Sequence, residues 1–129
     1  MGVVLEDLKR REEAEKAFQQ AIDTSNGTYA AAYYRLGVLA VQRGDNEQAA
    51  SLFREAISRS KDPFPTSHNN LGVTLALRGR FSEAEREFEI ALEQTGGKYA
   101  DARYNLAVCR SKLESARASL LALTLTVLE

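Results

Sequence analysis

The sequence predicts an all-α protein, a right-handed α-solenoid of antiparallel helix pairs with a 35-residue period. Three observations carry that prediction. Residues of one type recur at a fixed offset along the chain. Within each copy the apolar residues are spaced as on one face of a helix. Glycine stands where the first helix of each of the two complete copies has to turn back.

The offset is visible in six columns. Met1, Leu36, Leu71 and Leu106 are equivalent, followed by Gly2, Gly37, Gly72 and Ala107. Then come Ala14, Ala49 and Ala84; Phe18, Phe53 and Phe88; Ala21, Ala56 and Ala91; and Ile22, Ile57 and Leu92. Taken in order, residues 1–27 form a partial first repeat, and Gly2 falls in the middle of its first helix, as in a chain cut from a longer array. Asn26 and Gly27 end this part. Repeat two occupies residues 28–62. Its Ala49, Leu52, Phe53, Ala56 and Ile57 fall at i, i+3, i+4, i+7 and i+8, one stripe of a helix. Gly44 suits a left-handed residue closing its first helix, and Asp45 or Asn46 can cap the second. Repeat three occupies residues 63–97, opening at Pro63 and Pro65 and closing at Gly96 and Gly97. Gly79 repeats the role of Gly44, and Ser82 with Glu85 has the spacing of a capping box. Residues 98–113 supply the first helix of repeat four, completing an array over residues 1–113.

Residues 114–129 form an apolar helical extension. Glu114 stands where Gly44 and Gly79 stood, so one helix over residues 99–127 is favoured; a turn and a fourth second helix remain the alternative, because Ser119 and Leu123 fall in the small and aromatic slots. Leu120, Leu123 and Val127 make one apolar stripe, and Leu121, Leu125 and Leu128 another. One neighbouring repeat covers only one side of such a helix, so a homodimer through it is expected.

Small residues mark the contacts between helices. Gly37 and Ala49 are expected where two backbones approach, Ala56 against the next repeat, and Phe53 in the gap between units. The pattern resembles the tetratricopeptide repeat family, whose signature of aromatic, Leu-Gly, Ala, aromatic and Ala reads here as Tyr33, Leu36, Gly37, Ala49, Phe53 and Ala56, and again as His68, Leu71, Gly72, Ala84, Phe88 and Ala91. The departures are small: a period one residue longer than the usual ~34, His68 in an aromatic slot, and no proline ending the repeat.

Composition narrows the function. The 129 residues carry 17 basic and 18 acidic side chains, interspersed, with no basic stripe to favour nucleic acid. No apolar run approaches the ~18 residues of a membrane span, which predicts a soluble chain. The single cysteine fits a reducing compartment and makes the cytoplasm the expected location. One histidine and one cysteine leave no material for a histidine relay or a closed zinc site. His68 reads as a packing residue and Cys109 as an inert, partly buried thiol. Gly96 and Gly97 lack the spacing of a phosphate loop. No catalytic residue, metal or cofactor is implied.

The resemblance implies a concave groove lined by the first helix of each repeat, a surface for another protein. The expected groove residues, read from the Leu-Gly landmark, are Tyr34, Asn69 and Tyr104; Arg35, Asn70 and Asn105; and Val38, Val73 and Val108. Val41, Ala76 and Ser111 follow one turn later. Asn70 and Asn105, one repeat apart, resemble the asparagine ladder with which some members of the family hold a peptide backbone. A carboxylate clamp is not expected, because Tyr34 and Val38 stand where it needs lysine and asparagine, and Thr66 or Asp101 where it needs basic groups. The leading function is a scaffold that binds an extended peptide or helix of a partner protein in this groove. The alternative is a structural spacer or self-assembly unit.

Overall fold

The computed structural model describes the backbone of residues 2–128 and the side chains of residues 6–120. Six helices follow one another: α1 (Gly2–Thr24), α2 (Ala30–Gln42), α3 (Asn46–Arg59), α4 (Pro65–Leu77), α5 (Phe81–Gln94) and α6 (Ala100–Leu128). No strand occurs among the described residues. Each helix packs on the next, and the helices sort into two layers, α2, α4 and α6 against α1, α3 and α5. Within the first layer α4 touches both α2 and α6. In the second, no Cα of α3 comes within 8 Å of α1 or α5 among the described residues. A stack that is tight on one side and splayed on the other curves toward the tight side, so α2, α4 and α6 line the concave face.

The turns within the two central pairs are glycine-dependent. Gly44 has φ of 81° and Gly79 of 77°. Each is followed by the paired backbone bonds of a Schellman ending: Gly44 N donates to Val41 O and Asp45 N to Ala40 O, both at 2.9 Å, while Gly79 N reaches Ala76 O and Arg80 N reaches Leu75 O at the same distance. Asp45 then caps α3, its carboxylate accepting from Gln48 N at 3.2 Å. The capping box expected at Ser82 and Glu85 does not form. Gly79 fixes the turn length, so α5 starts at Phe81 with Arg80 as its N-cap and no side-chain cap bond. Ser82 therefore falls inside the first turn, and Glu85 pairs with Arg110 of α6 at 3.4 Å instead. The junctions between repeats use Asn26 and Gly27, then Gly96 and Gly97, all with φ between 55° and 79°. Pro65 opens α4 at a position where its missing N–H costs nothing.

The two ends lack these turns. Lys9 occupies the slot of Gly44 and Gly79, and α1 continues through it as one helix of 23 residues. Glu114 occupies the same slot in α6, which runs unbroken for 29 residues. The turn followed by a fourth second helix, left open by the sequence, is not formed.

The core of the described residues falls in two clusters, one of alanines, Leu71, Leu75 and Leu106 around Phe53 and Phe88, the other of Ile22, Ala32 and Leu36. Ala49, Phe53, Ala56, Ala84 and Ala91 are fully buried, and Phe88 is 1% exposed. The glycine columns serve a purpose other than the backbone contact expected of them. A Cβ at Gly37 would lie 2.6 Å from Cε1 of Phe53, and one at Gly72 would lie 2.5 Å from Cε1 of Phe88. The glycines make room for the aromatic ring of the partner helix in the same pair. Phe53 correspondingly fills its own pair rather than only the gap to the next. No helix among the described residues is long and apolar enough to cross a membrane.

Candidate functional site

The concave face is built by α2, α4 and α6; Leu36-Gly37, Leu71-Gly72 and Leu106 point into the core and leave the flanking positions to the surface. Tyr34 is half-buried, its ring packed against Phe53 and Phe64 with centroids 5.8 and 5.3 Å away. The exposed Arg35 guanidinium lies over that ring, 5.7 Å from its centroid. The asparagines are bonded to one another along the face. Asn105 Nδ2 donates to Asn69 Oδ1 at 3.1 Å, Asn69 Nδ2 to Asn70 Oδ1 at 3.4 Å, and Asn70 Nδ2 to the Tyr34 hydroxyl at 3.2 Å. One string of polar side chains thus joins α6, α4 and α2.

Within the string the residues have different parts. Asn69 is only 5% exposed, and it also bonds the Tyr99 hydroxyl, so it positions its neighbours rather than presenting itself. Asn70 and Asn105 are half-buried. Each commits one of its two amide N–H groups, which leaves capacity for a ligand. Burial raises the Tyr99 phenol above its ordinary range, with Tyr34 and Asp101 adding to the rise and the Asn69 bond opposing it. Tyr104 is 71% exposed and Val108 41%.

Below the string lie two hollows related by the repeat. Between α2 and α4, Val38, Val41, Gln42, Phe53, Asn70 and Val73 line a depression of about 140 Å³. Adding 35 to each number gives Val73, Ala76, Leu77, Phe88, Asn105 and Val108, all of which line a second depression of about 240 Å³ between α4 and α6. Phe81, Tyr104, Cys109 and Lys112 complete the latter. No carboxylate lines either hollow. The structure therefore brings Val38, Asn70, Val73, Tyr104, Asn105 and Val108 together at two adjacent sites, with Tyr34 and Arg35 at one end. One position beyond the expected groove columns, Gln42, Leu77 and Lys112 form a further 35-residue column, and Leu77 is 62% exposed. Tyr99 belongs to an aromatic column with Tyr29 and Phe64, whereas Phe81 carries no such signal.

The remaining candidates lie elsewhere. His68 faces α5, its Nδ1 2.7 Å from Glu87 Oε2, in the contact between the two helices of its own pair. Cys109 is 2% exposed and donates its Sγ hydrogen to Phe81 O at 3.0 Å. Burial pushes this thiol up, with Glu85 adding to the effect, which favours the neutral form over the nucleophilic thiolate. A hollow of about 270 Å³ on the opposite side, between α1 and α3, is lined by Glu15, Lys16, Gln19, Arg43 and Gln48 besides two leucines, and an ion pair of Arg43 with Glu15 bridges it. Of the expected self-association residues, Leu120 is exposed. The side chains of Leu121, Leu123, Leu125, Val127 and Leu128 lie outside the described residues.

Sequence comparison matches the tetratricopeptide repeat profile twice, over residues 1–62 and again over residues 69–124. The chain belongs to the tetratricopeptide repeat family. Comparison with curated proteins finds no match. Among solved structures, the tetratricopeptide repeat domain of Sgt2 from Aspergillus fumigatus superposes with a TM-score of 0.77 at 18% identity, covering 91% of this chain and 77% of that one. SycD, the type III secretion translocator chaperone of Yersinia enterocolitica, gives 0.74 at 18%, covering 84% and 77%. At these identities the likeness is one of fold. MamA is 31% identical over 70% of this chain, with a TM-score of 0.63, and the matched region spans about half of its length (52%).

Proposed function

We propose that this tetratricopeptide repeat array is a protein-interaction scaffold that holds an extended segment of a partner protein on its concave face. The observation that supports this most is the pair of hollows related by the repeat, each floored by a buried phenylalanine and rimmed by valine and asparagine. Helices in contact lie ~8–10 Å apart, so two equivalent hollows ask for two apolar side chains at about that separation. Positions i and i+3 of a polyproline-II-like segment are ~9.3 Å apart on one face. A helix would bring i and i+7 to a similar spacing, at ~10.5 Å. A helix has already paired its backbone amides, whereas an extended segment needs partners for them. The Asn70 and Asn105 side chains, which both donate and accept, suit the extended segment. A partner chain and not a small molecule fits a site that is long and shallow, and a chain with one thiol fits the cytoplasm.

The test is to titrate a library of peptides carrying two apolar residues three positions apart and to follow backbone amide chemical shifts. Shifts centred on Val38, Asn70, Val73, Asn105 and Val108 are expected. Shifts confined to α1, α3 and α5 would place the binding surface on the other layer and reject the reading. With a ligand in hand, Asn70→Ala combined with Asn105→Ala should weaken binding by ~0.5–1.5 kcal/mol per lost hydrogen bond; because the buried Asn69 loses both asparagine partners, the unfolding midpoint should fall as well, so binding is compared where both chains are folded.

A further inference from the structure

The two layers of the array differ in charge as well as in spacing. Helices α2 and α4 contain no carboxylate, and their one formally charged side chain is Arg35. To these α6 adds four cations against two carboxylates. Helices α1, α3 and α5 contain thirteen carboxylates against seven cations. The concave layer is therefore cationic and the opposite layer anionic. Two of the cations belong to the groove. Arg35 is the 35-residue equivalent of Asn70 and Asn105, stands one turn before Val38 and is exposed. Lys112 lines the second hollow, one turn after Val108, and is exposed as well. Neither makes an ion pair among the described residues, whereas Arg110, on the α5 side of α6, is held by Glu85 and Glu89.

We propose that the groove selects an acidic segment of its partner, with one side-chain carboxylate just outside each of the two apolar anchors, the first held by Arg35 and the second by Lys112. This preference rests on the concave face being the binding surface, and it names the chemistry of what binds there. The spacing fits. From α2 to α6 is two helix spacings, ~16–20 Å. In an extended segment anchored at i and i+3, the flanking residues i−1 and i+4 are ~15.5 Å apart, and the long arginine, lysine and glutamate side chains cover the difference. The direction fits too. With three residues per turn, i−1 and i+4 point to opposite sides of the line of anchors. Arg35 and Lys112 lie on opposite sides of the valine row in the same way, one turn before it and one turn after. The carboxylates of α6 leave this path open. Asp101 lies on nearly the same line of α6 as Lys112 but about 16 Å before it, so its repulsion turns an acidic segment toward Lys112. Glu114 points about 160° away from Lys112 around the helix. Carboxylates placed outside the hollows stay in water and avoid the cost of burial. Such exposed pairs are individually weak, so charge decides which segment binds more than how tightly it is held.

Three six-residue peptides test the proposal, each with leucine second and fifth and serine between them. Their termini are blocked, so every charge sits on a side chain and none on a terminal carboxylate. The first and last residues are glutamate in one peptide, glutamine in the next and lysine in the third. Dissociation constants are read from backbone amide shifts of the whole chain. The glutamate peptide should bind tightest and the lysine peptide weakest, with glutamate ahead of glutamine by about two- to twenty-fold for both pairs together. Added salt should close that gap. Arg35→Glu combined with Lys112→Glu should invert the order in favour of lysine, which loss of the fold cannot do; both positions are exposed. Equal affinity for the three peptides, with shifts still centred on Val38, Asn70 and Val108, would overturn the acidic preference and leave the groove reading standing. A glutamate preference that survives in the double variant would also overturn it, because the cations responsible would lie elsewhere. No shift on the concave face with any of the three would overturn both.

Discussion

The two central helix pairs and the two terminal helices are written in the same repeat, and they differ most at one slot. Gly44 and Gly79 adopt positive φ and reverse the chain; Lys9 and Glu114 stand in the same slot and remain helical. A side chain at positive φ costs about 1–2 kcal/mol, while lysine and glutamate are good helix formers and glycine is a poor one. With no glycine to lower the cost of reversal, the helix continues. The consequence reaches the packing: in the central pairs each phenylalanine is sealed by a glycine on the facing helix, and at the ends the same columns are left partly open. A repeat array is therefore stabilised unevenly, with its strongest units in the middle.

The largest effect should come from truncating the sealed ring. Phe88→Ala removes a side chain that is 1% exposed and should cost ~3–5 kcal/mol. Phe18→Ala, at the half-buried end position, should cost clearly less. Denaturant midpoints of the two variants make the comparison. Equal losses would show that α1 is packed as tightly as the centre.

Next in size is filling the glycine. Gly72→Leu drives a Cβ into the Phe88 ring, 2.5 Å away, and overpacking of this kind costs ~1–3 kcal/mol or more. Val73→Leu, at the half-buried neighbour, and Ala107→Leu, at the exposed end slot, should stay within ~0.5 kcal/mol at low protein concentration. A large loss at Ala107 would mean that its face is covered within the single chain.

A smaller effect, of opposite sign, is expected at Arg80. The two central pairs differ in their second-helix caps: the Asp45 side chain accepts from Gln48 N, whereas Arg80, with a similar backbone conformation, makes no side-chain cap bond. Arg80→Asp should add a cap and a favourable charge at the start of α5, a gain of ~0.5–2 kcal/mol. An unchanged melting temperature would show that the α5 terminus is already satisfied by solvent.

These contrasts also mark what the sequence made legible. The period, the turns at Gly44 and Gly79, and the junctions at Asn26 and Gly96 were readable because each follows from one residue's local preference. The capping box at Ser82 and Glu85 misled because spacing alone does not say where a helix starts; the turn bonds of Gly79 and Arg80 do. The bonding of Asn105 to Asn69, and of Asn70 to Tyr34, joins side chains 36 residues apart. That pairing depends on how repeats rotate against one another, and a count of columns does not contain the angle. The pair of hollows was nearly in reach, since their lining residues keep the same offset as the core.

The smallest predicted effect concerns the seam where α6 meets the central pairs. Cys109 and Tyr99 both lie there, and burial raises the pKa of each in the folded chain. For a thiol or phenol the neutral form carries the proton, so a raised value means that the folded state keeps its proton at a pH where the unfolded state has begun to release it. The folded state then binds more protons than the unfolded one, and stability falls as pH rises. The contribution is fully present below the unfolded thiol range near pH 8.5 and is lost as pH climbs through the folded values. Unfolding midpoints measured at neutral pH and at about pH 10 should show this loss in the parent. Cys109→Ala is less stable at neutral pH because it leaves a small cavity, but it should lose less between the two conditions. If both chains fall by the same amount, the alkaline sensitivity lies outside this seam, and the thiol at the base of α6 contributes to packing alone.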